Sequence, residues 1–164
     1  MTRKKTQCMQ VYVWEREELF ILDPGLKYVK MMNFYSPKTL RKTKRTGTKA
    51  SFETPRPYTW PQVEAYVQAI LRAEGATYPT VTLTPGVGRW ARGKRNEIIL
   101  PEWARVQTVM LHEIAHTLNQ RRNVRHDGHG PKFMKIFIDL LVKYMGYPES
   151  MLRNSARRYG VQVA

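Results

Sequence analysis

Apolar positions fall at helical spacing in several stretches of the chain and alternate in a shorter one. Between Gln7 and Leu22 the residues Val11, Trp14, Leu19 and Leu22 line one helical face, and Asp23, Pro24 and Gly25 end the pattern. The stretch 27–57 has no clean period and predicts irregular structure. Thr59 with Gln62 three residues on, and Pro61 in the first turn, predict a capped helix start. That helix runs through Val63, Tyr66, Val67, Ile70 and Leu71 to Gly75. Thr80 to Thr84 alternates and is β-branched, and Pro85, Gly86 and Gly88 then turn the chain toward Trp90. Asn96 to Leu100 predicts a second strand, stopped by Pro101. With Val87 to Arg92 between them, these segments predict a small antiparallel sheet. A helix opening near Glu102 passes through Val106, Met110, Ile114 and Leu118, and the polar run from Asn119 to Gly130 predicts a loop. Pro131 starts a long helix with Phe133, Ile136, Phe137, Leu140, Leu141 and Tyr144 on its apolar face, closed by Gly146 and Pro148. The expected fold class is α+β in one domain over 1–164, with the chemistry concentrated in 80–147.

Composition agrees with a folded domain: 164 residues, 42% hydrophobic and 11% aromatic, are enough to bury a core. Charge changes the picture more. Lys and Arg number 28 against 13 acidic residues, a formal net charge of +15. A field of that sign draws polyanions, nucleic acid first and acidic membrane surfaces second. A soluble protein that is merely basic is the plainer alternative. Cys8 is the single cysteine, which excludes an internal disulfide framework and a cysteine-built zinc ribbon. The basic start from Met1 to Lys5 is not followed by the apolar run of a signal peptide, and no stretch reaches membrane-span length. A soluble cytoplasmic protein without a membrane role is the expectation; the sequence leaves its oligomeric state open.

Candidate chemistry sits in the helix after Glu102. His112, Glu113, Ile114, Ala115 and His116 spell HExxH. Two histidines four residues apart share a helical face, so both imidazoles can reach one Zn²⁺, and Glu113 stands beside the metal's open position as a general base. Zinc draws the pKa of a bound water toward about 7, and the carboxylate takes the proton as that water attacks. A chance match is disfavoured by the clustering of all four histidines between positions 112 and 129. A metzincin would carry Gly at 119 and His at 122, where this chain has Asn119 and Arg122. Asp139 is the one acidic residue on the following helix. His126 and His129 remain as third ligands.

The string Asp127, Gly128, His129, Gly130, Pro131, Lys132, Phe133, following HEIAH across a polar loop, resembles the SprT-like metalloproteases, which include the Spartan proteins. The resemblance covers roughly 80–147. It implies His129 as the third zinc ligand and a zincin-like fold, with an active-site helix beneath a small antiparallel sheet. An edge strand of that sheet can hold an extended substrate; Asn96 to Leu100 is the matching segment. It also implies proteolysis of DNA-bound or DNA-crosslinked proteins, stimulated by DNA. The chain departs from some members in having no C-terminal cysteine ribbon. Its opening, with Thr6, Gln7, Val11, Tyr12 and Glu15, is similar to short SprT-like metallohydrolases, many encoded by bacteria or their viruses, which would place a virus-encoded copy in the host cytoplasm.

Lys38, Arg41, Lys42, Lys44, Arg45 and Lys49 form a run without acidic residues, suited to non-specific phosphate contacts or to a solvated loop. Arg121, Arg122 and Arg125 flank the metal loop, and Arg89, Arg92, Lys94 and Arg95 extend the patch. Trp60, Trp90 and Trp103 are candidates for base stacking or for packing. Tyr144 and Tyr147 are candidates for stabilising an oxyanion. The leading expectation is a zinc endopeptidase with protein substrates and DNA as partner. The alternatives are a zinc hydrolase acting on another substrate such as RNA, and a noncatalytic zinc-containing nucleic-acid-binding module. Glu113 argues against the last, since a structural site has no use for a base there.

Overall fold

The computed structural model describes residues 7–19, 57–88 and 90–164. The basic run from Lys38 to Lys49 and most of the stretch 27–57 lie outside the described residues, as does Arg89.

Among the described residues the fold is α+β, with five α-helices and one three-stranded sheet. Helix α1 spans Gln7–Trp14 and continues as a π-helical turn, Glu15–Leu19. Helix α2, Trp60–Ala73, starts where the capping residues put it: the Thr59 backbone N–H donates to Gln62 Oε1 at 2.9 Å and the Thr59 hydroxyl at 3.0 Å. At its other end Gly75 takes φ +71°, which lets the Gly75 N–H reach the Arg72 carbonyl and the Ala76 N–H the Leu71 carbonyl.

Strands β1, Thr82–Gly86, β2, Arg92–Lys94, and β3, Glu97–Pro101, form a sheet of order β1-β3-β2. This corrects the expected all-antiparallel sheet. The turn at Arg95 and Asn96 folds β2 back on β3, whereas β1 runs parallel to β3, with Leu83 opposite Ile98. Asn96 to Leu100 therefore lies at the centre of the sheet instead of its edge and cannot take an added strand. Alternation along a segment reports which faces are buried, and it carries nothing on which neighbour the strand takes. Pro85 is tolerated inside β1 because β1 is an edge.

A short 3₁₀ turn, Glu102–Ala104, separates the sheet from α3, Gln107–Arg122, so the metal-motif helix starts later than its apolar pattern suggests. It also ends later, since Arg121 and Arg122 in its last turn suit the helix C-terminus. Helix α4 is Pro131–Met145, with Pro131 in its first turn and Gly146 at φ +72° after its end. Helix α5, Glu149–Arg158, was not anticipated; it buries Leu152, Ser155 and Ala156.

Helix α3 is the centre of the fold. Met110, Leu111, Ile114, Ala115 and Leu118 are buried in a core shared with Val11 and Trp14 of α1, Val67 of α2, Ile98 of β3 and Phe133, Phe137 and Leu141 of α4. Being covered on most sides, α3 lacks the one-sided apolar stripe of a surface helix. Among the described residues no helix is long and apolar enough to cross a membrane.

Candidate metal centre

The triad is built from two local devices. On α3, His112 and His116 are one helical turn apart on the same face. The third histidine is placed by the loop before α4, where each residue of the string has a mechanical task. Gly128 takes φ +59°, a conformation costly for a side-chain-bearing residue. A Cβ on Gly130 would stand 2.5 Å from Asp127 Cγ. The Asp127 carboxylate accepts from the backbone N–H of Lys132 at 2.8 Å and of Phe133 at 3.2 Å, capping the start of α4. It also accepts from Asn119 Nδ2 at 3.0 Å, tying the loop back to α3. His129 is thereby held over the helix.

The result is a near-equilateral triangle of nitrogens: His112 Nε2 to His116 Nε2 is 3.1 Å, His116 Nε2 to His129 Nε2 3.2 Å, and His129 Nε2 to His112 Nε2 3.1 Å. Three imidazoles meeting through the same atom cannot satisfy one another by hydrogen bonds, since each Nε2 offers either one proton or one lone pair. Three lone pairs aimed at one point suit a cation, and these residues could hold a metal ion. His126 is exposed on the loop and outside this group.

Aromatic rings set the angles of the triad. The fully buried Phe133 stacks on His116 at 4.4 Å between centroids and meets His129 and His112 at 4.9 and 5.0 Å. Phe137, one turn further on, lies 5.3 Å from His112. On the other side Tyr12 of α1 lies 4.7 Å from His129 and 6.2 Å from His112. Two further residues reach the triad through its outer nitrogens: Glu15 Oε1, from the π-helical turn after α1, is bonded to His112 Nδ1, and Cys8 Sγ of α1 lies 3.3 Å from His129 Nδ1. The sequence reading missed Cys8 and Glu15 as site residues and Phe133 as the triad's support. The spacing 8, 12, 15 marks one face of a helix and was the available signal.

Electrostatics separates the three imidazoles. Burial, aided by its imidazole neighbours, pushes His116 down to about 2, and burial with His112 nearby takes His129 down to about 4. For His112 burial acts the same way, but the Glu15 carboxylate outweighs it and the net shift is upward. Glu113, 6% exposed, is raised by burial against the opposing pull of His112, the Gly93 N–H and Arg92. Burial and the surrounding acidic groups push the Tyr12 hydroxyl up to about 12, so it stays protonated.

Strand β2 meets α3 at the base. Gln120 Nε2 donates to the Gly93 carbonyl at 3.2 Å, and Thr117 Oγ1 donates to the Lys94 carbonyl at 2.8 Å. Positions 113, 117 and 120 share one face of α3, so the helix closes the outer edge of β2 with its side chains. Gly93 permits the approach: a Cβ there would lie 2.1 Å from the Glu113 carbonyl oxygen.

Other candidates are placed elsewhere. Arg121 is spent inside the protein, donating to the carbonyls of Arg95, Ala76, Tyr78 and Pro79 and to Asn96 Oδ1. Arg122 binds Glu74, and Tyr144 donates to Glu74 Oε1 at 2.8 Å, so that hydroxyl is committed to Glu74 and is not free to stabilise an oxyanion. Tyr147 packs half-buried against the core. Arg125 is exposed. Trp60 lies under Arg105, Trp103 Nε1 donates to the Gly88 carbonyl, and of the three candidate tryptophans Trp90 alone is exposed, at 76%.

Compared with protein-family models, with curated proteins and with solved structures, the chain finds no match in any of the three.

Proposed function

We propose that the chain is a zinc-dependent endopeptidase of the SprT-like type, with a zincin-like arrangement of metal helix and sheet, acting on DNA-associated or DNA-crosslinked proteins. The observation that carries the reading is the triangle of His112, His116 and His129 Nε2 atoms, 3.1–3.2 Å apart, beside the buried carboxylate of Glu113. Nitrogens bound tetrahedrally to zinc at about 2.0–2.1 Å lie about 3.3 Å from one another. The observed spacing needs only a few tenths of an ångström of adjustment, and neutral imidazoles are ligands zinc favours.

When bound, the metal supplies Lewis acidity, polarising a carbonyl and making water a nucleophile near neutral pH. The chain does the rest. Glu113 occupies a buried position that raises its affinity for a proton, which suits a group that takes a proton from water and returns it to the leaving amine. Phe133 and Tyr12 limit rotation of the imidazoles from two sides. The net charge of +15 supports DNA as the partner that concentrates substrate, through phosphate contacts that read no sequence.

The test is incubation of the purified protein with a basic DNA-binding protein, with and without single-stranded DNA and chelator, beside an RNA arm. Cleavage of protein that needs metal and rises with DNA is expected. Zinc-loaded Glu113→Gln should lose about 10²-fold or more in turnover. Hydrolysis of RNA with the protein substrate left intact would replace the reading by the nuclease alternative, and full proteolysis by the zinc-loaded variant would end the role given to Glu113.

A further inference from the structure

Helix α1 is separated from the histidines by nearly a hundred residues, yet it lies along the triad. Cys8 and Tyr12 of this helix and Glu15 of the π-helical turn that continues it contact the imidazoles. Of these contacts, that of Glu15 determines something chemically definite. His112 turns Nε2 toward the other two histidines, and a metal there requires the Nε2 lone pair. The ring proton must then be on Nδ1, where the Glu15 carboxylate accepts it. Both side chains are largely covered, 8% exposed for His112 and 15% for Glu15, so water cannot readily replace either partner.

We propose that Glu15 is a positioning residue of the metal centre: it fixes the tautomer and ring angle of His112 and raises the donor strength of its Nε2. The inference rests on the reading that the triad binds a metal. A carboxylate behind a ligating histidine is a recurring device for orienting a ligand, and its loss costs about 10- to 100-fold in metal affinity. Glu15 opens a π-helical turn, a local widening that recurs at functional sites, and the turn leaves the neighbouring Trp14 buried in the core.

The C-terminal part of the chain holds this helix against the triad. Trp14 Nε1 donates to Ser155 Oγ of α5 at 2.9 Å in a buried contact. Arg158 meets Glu18 at 3.3 Å, and Gln7 exchanges two hydrogen bonds with the backbone of Gln162, at 3.0 and 3.1 Å. The orienting carboxylate thus depends on a clasp between α1 and the segment from α5 onward. A purely structural ion pair would affect stability alone, whereas a positioning residue affects affinity in a protein that is otherwise intact.

The experiment measures zinc affinity by chelator competition for the wild-type chain and for Glu15→Gln, together with the unfolding midpoint of each metal-free protein. Affinity should fall by about 10- to 100-fold while the metal-free midpoints stay close. Equal affinities would overturn the role of Glu15 and leave the metal reading standing. Absence of zinc binding by the wild-type chain would end both. A measurement that needs no variant accompanies it: in ¹⁵N–¹H spectra of the wild-type protein, His112 should carry its proton on Nδ1 in the zinc-bound form. A His112 ring protonated on Nε2 would overturn the proposal even if Glu15→Gln fails to fold.

Discussion

Replacing Gly93 by Ala should loosen the joint between the sheet and the metal helix. The added Cβ would stand 2.1 Å from the Glu113 carbonyl oxygen and 2.9 Å from His116 Cβ. Atoms of this size pack at about 3.5–4.0 Å, so β2 must withdraw by more than about 1 Å. Withdrawal stretches two hydrogen bonds: Gln120 to the Gly93 carbonyl and Thr117 to the Lys94 carbonyl. Overpacking costs about 1–3 kcal/mol and each of the two weakened bonds about 0.5–1.5, so a total of about 2–6 kcal/mol is expected. For a domain of this size, at about 2–4 °C per kcal/mol, that lowers Tm by about 4–24 °C. The assay is chemical and thermal denaturation in excess chelator, which separates the packing effect from metal binding. Gly75→Ala is the control: its φ is +71° but no atom lies within 4 Å of the new Cβ, so only the backbone cost of about 1–2 kcal/mol applies. If Gly93→Ala costs no more than Gly75→Ala, the close approach at Gly93 is not what holds β2 on α3.

Three other perturbations separate the remaining elements. His129→Ala should lower zinc occupancy far more than His126→Ala, measured by elemental analysis; the reverse order would put the wrong histidine in the triad. Partial burial alone would raise the Glu74 carboxyl, but hydrogen bonds from Lys143, Arg122 and Tyr144 hold it down at about 2 against an ordinary value of 4.5. A carboxyl depressed by folding stabilises the fold fully above its unfolded value, and that contribution is lost as pH falls toward its folded one. Glu74→Gln should therefore cost about 1–2 kcal/mol at pH 7 in urea titrations, discounted for the exposure of Arg122 and Lys143, with the gap narrowing by more than half at pH 3. A gap independent of pH would refute this account. Replacing Lys38, Arg41, Lys42, Lys44, Arg45 and Lys49 by Ala should flatten the salt dependence of single-stranded DNA binding by about 2–4 units in the log–log slope without changing zinc content, and an unaltered slope would remove this run from the interface.

What the sequence made legible is what depends on near neighbours. The Thr59 and Gln62 capping residues, the HExxH repeat on α3 and the Asp127-to-Phe133 string all act within a few residues, and all appear where their spacing put them. The sheet was misread because β-branched alternation in Thr80–Thr84 and Asn96–Leu100 does not encode which neighbour a strand takes, and β1 pairs parallel with β3. Arg121 read as surface charge because nothing local reveals that four carbonyls from two loops converge on it. Glu15 was missed for the same reason, since its partner lies 97 positions away.

That separation also has a bearing on how the protein assembles. His112 and His129 are 17 residues apart, whereas Glu15 and His112 are 97 apart. For flexible chains the entropy of closing the longer loop exceeds that of the shorter by about 1.5 kcal/mol. The contact between Trp14 and Ser155, 141 residues apart, is costlier still. The helix–loop–helix carrying the triad is therefore a low-contact-order unit that forms from local encounters, and the clasp of α1 onto α5 closes after it. If the triad holds a metal, an ion present during folding would meet the three imidazoles before the carboxylate behind His112 arrives, and capture would then come in a weak stage followed by a tightening one as the two ends dock.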